Sequence, residues 1–199
     1  MKFSIIVPVY NSANFLPDCL AGVKNQSFDD WELIFIDDGS TDGSRTILDG
    51  YARSDDRIHV FHQENSGQFF AREKGIAMSK GEYILFLDSD DGLMPDCLEK
   101  LYEVICESKP DMIMFAYRVS YDDGKEDIER GMIFSEKKKS HQNGSVKILY
   151  QTTPLMRCGR RLFAESFLRA TIRTIPHLQG LISAKIKFVC STLLPLRKK

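Results

Sequence analysis

The sequence predicts an α/β fold, a mostly parallel sheet with helices packed on both faces. Three observations carry that expectation. The segments Phe3–Tyr10, Trp31–Ile36 and Tyr83–Leu87 are nearly unbroken apolar, β-rich runs, and a run without polar alternation suits a strand buried on both faces. Between them lie stretches whose apolar residues recur at helical spacing, which gives the strand-helix-strand order of parallel sheets. Each run also gives way to polar or acidic turn residues, as strands do where they leave a sheet at its ligand-binding edge.

Taken in order, FSIIVPVY is the first strand, closing near Pro8 because proline cannot donate to a ladder. Asn11–Asn14 turn the chain into a helix with Phe15, Leu16, Cys19, Leu20 and Val23 on one side. Residues 25–30 break it, and WELIFI forms a second strand that runs into Asp37-Asp38-Gly39-Ser40-Thr41-Asp42. A helix over about Gly43–Arg53 carries Ile47, Leu48 and Tyr51, and Arg57–His62 form a short strand. His59 and His62 sit on its rim and are assigned no role. Asn65-Ser66-Gly67 opens a third helix, which ends near Gly81 before the strand YILFL. Met94-Pro95-Asp96 starts a fourth, with a stripe of Cys97, Leu98, Leu101, Tyr102 and Ile105. Asp111–Tyr121 reads as another strand.

Beyond Glu126 the periodicity weakens. Lys137–Lys139 suit a solvated loop, residues 145–150 a helix start or a short strand, and Leu162–Thr174 a helix. Leu178–Lys199 suit either a terminal helix or a segment lying on a membrane. The expected division is therefore a core over residues 1–125 and a basic, incomplete segment over 126–199.

Charge sharpens that division. Among the 199 residues the formal net charge is only -1, yet residues 1–136 hold 27 acids against 13 Lys and Arg, while residues 137–199 hold 14 Lys and Arg against the single acid Glu165. A basic segment on an acidic body suggests an anionic partner, most simply a membrane surface. Nucleic acid is not expected as a partner. Five cysteines, an odd number without C-x-x-C spacing, read as reduced thiols and point to the cytoplasm, with peripheral contact at the membrane face. The apolar N-terminal run is short, contains Pro8 and lacks a small-residue cleavage site, so it reads as a strand rather than a leader. No window approaches the ~18 apolar residues of a membrane span.

The chemistry is expected where the strands end. Asp88, Asp90 and Asp91 follow the YILFL strand directly. Bunched carboxylates repel one another and stay ionised when a hard divalent cation neutralises them; the same residues also suit a plain solvated turn. If neighbouring parallel strands deliver Tyr10, Asp37-Asp38 and Asp88-Ser89-Asp90 to one edge, an aromatic face meets a base, carboxylates accept from a base or ribose, and a cation on Asp88 and Asp90 holds a diphosphate. Arg72 suits either a phosphate contact or a partner for an acid. Neither G-x-G-x-x-G nor G-x-x-x-x-G-K-[ST] occurs, which disfavours dinucleotide and P-loop sites.

SIIVPVYN at Ser4–Asn11, DDGSTD at Asp37–Asp42, N-x-G-x-x-x-A-R at Asn65–Arg72 and GEYILFLDSDD at Gly81–Asp91 together resemble the inverting family 2 glycosyltransferases of GT-A fold, over residues 3 to about 120. The resemblance implies a nucleotide-sugar donor of UDP or dTDP type and an acceptor hydroxyl on a polysaccharide, glycolipid or other cell-surface glycan. It also implies Mg2+ or Mn2+ on Asp88 and Asp90. Pro8, Val9, Tyr10, Asp37, Asp38 and Ser89 would line the nucleotide site, with Arg72 facing the diphosphate and Asp91 orienting the donor sugar or the metal's water. It calls further for an Asp or Glu base in an acceptor-side segment. Here the chain departs from the family, since Glu165 is the one acid after Glu136, and after about Thr174 the likeness stops. A donor-binding homologue lacking the base, or a membrane-docking module without enzymatic activity, are the alternatives. A dehalogenase-type phosphatase fits poorly, because its acids belong on an early strand.

Overall fold

The computed structural model describes residues 1–110 and, beyond them, 112–115, 117–119, 128–130, 134–136, 147–151 and 187–190. Strands β1 (Phe3–Val9), β2 (Trp31–Asp38), β3 (Ile58–Gln63) and β4 (Tyr83–Phe86) alternate with helices α1 (Leu16–Lys24), α2 (Ser44–Ser54), α3 (Gln68–Met78) and α4 (Cys97–Ser108). All four strands are parallel, in the order β3-β2-β1-β4. Later come β5 (Met112–Phe115), β6 (Tyr117–Val119), β7 (Ile128–Arg130), β8 (Phe134–Glu136), β9 (Lys147–Gln151) and β10 (Lys187–Cys190). The sheet continues past β4 as β10-β9-β5-β8, with only β8 antiparallel to its neighbour.

The apolar runs are buried on both faces, as their composition requires. Phe3, Ile5, Val7 and Val9 of β1 join Leu33 and Phe35 of β2 on one face, under Leu16, Leu20 and Val23 of α1, Leu48 of α2 and Leu98, Leu101 and Ile105 of α4. Ile6 points to the opposite face, where α3 lies so close that a methyl group at Gly75 would strike it. Pro8 is tolerated inside β1 for a reason of register. Pairing with β4 stops at Ile6, whose carbonyl accepts from Leu87 at 3.0 Å, and Pro8 shares that orientation, so its missing donor faces a side where no strand needs it.

Two sequence expectations need revision. The strand expected over Asp111–Tyr121 is two, since Tyr117–Val119 pairs with Ile128–Arg130 in a separate antiparallel ladder. Of the two readings left open for residues 145–150, the strand holds. Lys187–Cys190 is a strand between β4 and β9 rather than part of a helix or membrane-lying segment; Phe188-Val189-Cys190 is too short an apolar run for periodicity to tell strand from helix. Lys137–Lys139, Glu165 and Leu162–Thr174 lie outside the described residues. Among the described residues no helix is long and apolar enough to cross a membrane.

Candidate functional site

Because β1, β2 and β4 are parallel neighbours, their C-terminal ends open on one edge, and the turns that follow them are stitched together. Asn11, held at a φ of 49°, donates its N–H to Ser40 Oγ at 3.1 Å and accepts from the Thr41 N–H at 2.8 Å. Asp42 accepts from the Ala13 N–H at 3.0 Å, and Ser44 Oγ from the Ser12 N–H at 3.0 Å. The two loops thus form one wall. Beside it a cleft of about 160 Å³ is lined by Pro8, Val9, Tyr10, Ser12, Asp38, Gln68 and Ser89. Tyr10 is 52% exposed and offers its ring to this space.

The acid pair ending β2 splits its work. Asp37 is only 2% exposed, accepts from the Ser40 N–H at 3.0 Å and stands 2.8 Å from His62 Nδ1. Burial opposes its ionisation, yet the hydrogen bonds from Ser40 and His62 outweigh burial and hold its carboxyl below the ordinary value. Both Asp37 oxygens are bonded internally, which braces the turn, and Asp37 is not among the residues that line this cleft. Asp38 does reach the cleft. Its oxygens accept from Gln63 Nε2 and from the Ser66 and Gly67 N–H groups, each at 2.8 Å. A carboxylate has about four acceptor positions, so three internal donors leave one for a ligand. Gly39, at a φ of +74°, lets this turn approach Asn65, where any Cβ would lie 2.7 Å from the Asn65 nitrogen.

After β4 the chain brings three carboxylates and one guanidinium together. Arg72, on α3, bonds Asp88 Oδ1 at 2.6 Å, and Gln68 Nε2 donates to the same oxygen at 3.1 Å. Arg72 was open to a phosphate or an acid partner, and Asp88 is the partner present. Burial raises the Asp88 carboxyl pKa; Arg72 pulls it back down and Asp90 pushes it up. Asp91 is pushed up to about 8 by burial and by the neighbouring charges of Asp88 and Asp90. Its Oδ2 is buried without a hydrogen-bond partner among the described residues. Cys19 lies beneath, its thiol raised to about 12 by burial and by Asp91, Asp90 and Asp88, which makes it an inert core thiol. Asp90 is the exposed member.

A hard divalent cation fits this donor set. Three carboxylate groups crowd one loop, and one buried oxygen lacks a partner. Among the described residues, however, no three His, Cys, Asp or Glu side chains close round a point. The arrangement suits an ion that takes one or two carboxylates and completes its shell with water and phosphate oxygens. Asp90 is the accessible carboxylate of the three, and Asp88 has only Oδ2 outside its bonds to Arg72 and Gln68.

Of the residues expected at the site, Pro8, Val9, Tyr10, Asp38 and Ser89 do line the cleft. Ser12 and Gln68 were missed. Ser12 Oγ lies 3.1 Å from the Tyr10 carbonyl and 2.8 Å from Ser89 Oγ, linking the first and fourth strand ends; a serine in a turn gives no signal of that reach. Gln68 stands one residue past Gly67, at the start of α3, and its place was legible only in the N-x-G-x-x-x-A-R spacing. His62 was passed over because a rim histidine carries no role by itself.

The architecture is that of a GT-A fold with an acidic strand-end cleft. The profile described as Glycosyl transferase family 2 matches residues 4–167, and the chain belongs to that family. EpsH of Bacillus subtilis (strain 168) is 33% identical over 175 residues, which cover 87% of this chain and 50% of EpsH. Glycosyltransferase GlyG of Streptococcus pneumoniae is 39% identical over 121 residues, 60% of this chain and 40% of GlyG. The S. aureus TarS 1-349 crystal structure in complex with UDP-GlcNAc superposes with a TM-score of 0.56 at 30% identity, covering 63% of this chain and 36% of that one. The chain thus spans half the length of EpsH and less of the other two.

Proposed function

We propose that this chain forms the donor-binding part of an inverting glycosyltransferase. It takes a sugar from a UDP- or dTDP-type donor and delivers it to a hydroxyl of a polysaccharide, glycolipid or other cell-surface glycan. The observation that carries the reading is the single cleft joining Tyr10, Asp38 and Ser89 from three strand ends beside the acidic loop. Tyr10 stacks on the base, the remaining acceptor position of Asp38 takes a base or ribose proton, and Ser89 stands where the nucleoside passes into the diphosphate. The diphosphate then reaches Asp90. Mg2+ or Mn2+ on Asp90, with the free oxygen of Asp88, supplies charge neutralisation for the departing diphosphate when bound. Arg72 holds Asp88 in place and offsets part of the burial that disfavours its charge.

In the reaction the acceptor oxygen bonds to the anomeric carbon as the carbon–diphosphate bond breaks on the opposite side, and the acceptor proton passes to a carboxylate. Asp91, next to Asp90 and with a buried oxygen that has no partner among the described residues, is assigned to orienting the donor sugar or the metal's water. Glu165 is the one candidate for the base in the C-terminal part of the sequence given. A base missing from the acceptor side reduces transfer by about 10²–10⁴-fold while leaving donor binding in place, and that defines the second reading, a donor-binding homologue.

Calorimetry of UDP, dTDP and GDP with Mn2+, repeated in EDTA, tests the proposal. Binding of one nucleotide that is lost with the metal supports it and identifies the base. If none of the three binds, the donor-site reading fails.

A further inference from the structure

Ser12 and Ser89 join the first and fourth strand ends through their hydroxyls, and both are nearly enclosed, at 8% and 9% exposed. A hydroxyl carries one proton and two lone pairs. Ser12 Oγ stands 3.1 Å from the Tyr10 carbonyl, and a carbonyl only accepts, so that bond uses the Ser12 proton. The contact between the two hydroxyls, 2.8 Å long, then takes its proton from Ser89. The relay runs one way, from Ser89 to Ser12 to the Tyr10 carbonyl. Ser89 therefore turns lone pairs, not a proton, toward the cleft that it lines.

Asp38 faces the same cleft and, as a carboxylate, also only accepts. At both places the donated hydrogen must come from the ligand. Their position in the sheet says which part of a nucleotide each one meets. Asp38 ends β2 and Ser89 follows β4, with the end of β1 and its Tyr10 between them. The residue after Ser89 is Asp90, to which the diphosphate is assigned. In a nucleoside diphosphate the ribose joins the base to the diphosphate, so the acceptor beside the diphosphate meets a ribose hydroxyl. We propose that Ser89 is a specificity residue that accepts from a ribose hydroxyl of the donor nucleotide, and that Ser12 is the positioning residue that keeps the Ser89 proton turned away. The inference rests on the donor-site reading above. It adds a selection that base contacts do not make, for a sugar that carries the hydroxyl against one that lacks it. A nucleotide without that hydroxyl leaves an enclosed acceptor with no donor, which costs affinity.

Calorimetry with Mn2+ on the 199-residue chain compares UDP with its 2′-deoxy and 3′-deoxy analogues. One of the two analogues should bind the native protein on the order of tenfold more weakly than UDP, the size of one hydrogen bond to an enclosed group. Ser89→Ala should bind that analogue and UDP equally, because the acceptor is gone. Ser12→Thr should keep the native preference. Ser12→Ala should lose most of it, because the Ser89 hydroxyl is then free to turn its proton into the cleft. A pair of serines that only braced the loops would change the affinity for all three nucleotides alike and leave their ratio untouched. Equal binding of the three by the native protein, or an undiminished preference in Ser89→Ala or in Ser12→Ala, overturns the proposal; should Ser12→Ala not fold, Ser89→Ala decides by itself. Absence of UDP binding by the native protein refutes the donor-site reading and this assignment together, whereas UDP binding without the preference refutes the assignment alone.

Discussion

Asp37 and Asp90 show how differently two acids of one site are used. Asp37 is enclosed and bonded on both oxygens, and its pKa is lowered despite burial. A carboxyl whose folded pKa lies below its unfolded value stabilises the fold above the unfolded value, and that contribution disappears as pH falls through the folded one. The melting-temperature advantage of the native protein over Asp37→Asn should therefore be constant at neutral pH and shrink below about pH 4. An advantage that persists unchanged into strong acid would show that the carboxylate is not what holds the turn. Asp90 is exposed, so Asp90→Ala should melt within about 0.5 kcal/mol of the native protein. The same variant should lose metal-dependent nucleotide binding in calorimetry. Unchanged binding would remove Asp90 from the metal's ligands.

At the level of elements, the parallel sheet holds the site at one edge and secures itself at the other. Glu32 of β2 is fully buried opposite the cleft, where it accepts from Ser4 Oγ at 2.5 Å and from the Lys80 and Gly81 N–H groups at 2.6 and 3.2 Å. His59 Nε2 lies 3.5 Å from its other oxygen. These bonds tie the turn between α3 and β4 to β1 and β2, and Gly81 packs so tightly that a Cβ would lie 2.6 Å from the Ser4 nitrogen. Glu32→Ala should destabilise the protein by about 2 kcal/mol in chemical denaturation, because it takes the acceptor from the buried Ser4 hydroxyl and from the Lys80 N–H, while the Gly81 N–H keeps Ser4 Oγ at 2.7 Å. A loss below about 1 kcal/mol would mean that water replaces the carboxylate. Sequence reading placed Glu32 inside a strand without a task, since a lone acid in WELIFI carries no sign of which backbone donors will meet it.

For the molecule as a whole, the charge asymmetry is the feature not explained by the cleft. The 14 Lys and Arg of residues 137–199 face a single acid in that stretch, which suits a peripheral contact with an anionic membrane, and with it a place on the cytoplasmic face, as proposals. Polybasic contacts contribute about 1 kcal/mol per residue near such a surface and are screened by salt. The chain should therefore co-sediment with phosphatidylserine-containing vesicles at low ionic strength and be released by added salt, while neutral vesicles retain none. Equal binding to both vesicle types would rule out the electrostatic contact.

The sequence by itself determined the α/β class, the order of the first eight elements and which strand ends meet at the cleft. These follow from local rules, in which apolar runs make buried strands, helical spacing makes amphipathic helices, and Asp and Gly mark exits. Pro8, Tyr10, Asp38 and Ser89 were legible for that reason, as strand-end residues in recurring motifs. Only the tertiary structure decided that Asp37 turns inward while Asp38 reaches the cleft, that Arg72 pairs with Asp88, that Ser12 meets Ser89, and that His62 bridges Asp37 to Asp49. Each of these is a side-chain contact between elements 13 to 77 residues apart. Such contacts depend on register and packing between strands, and no local pattern in the chain encodes which donor a given carboxylate will find.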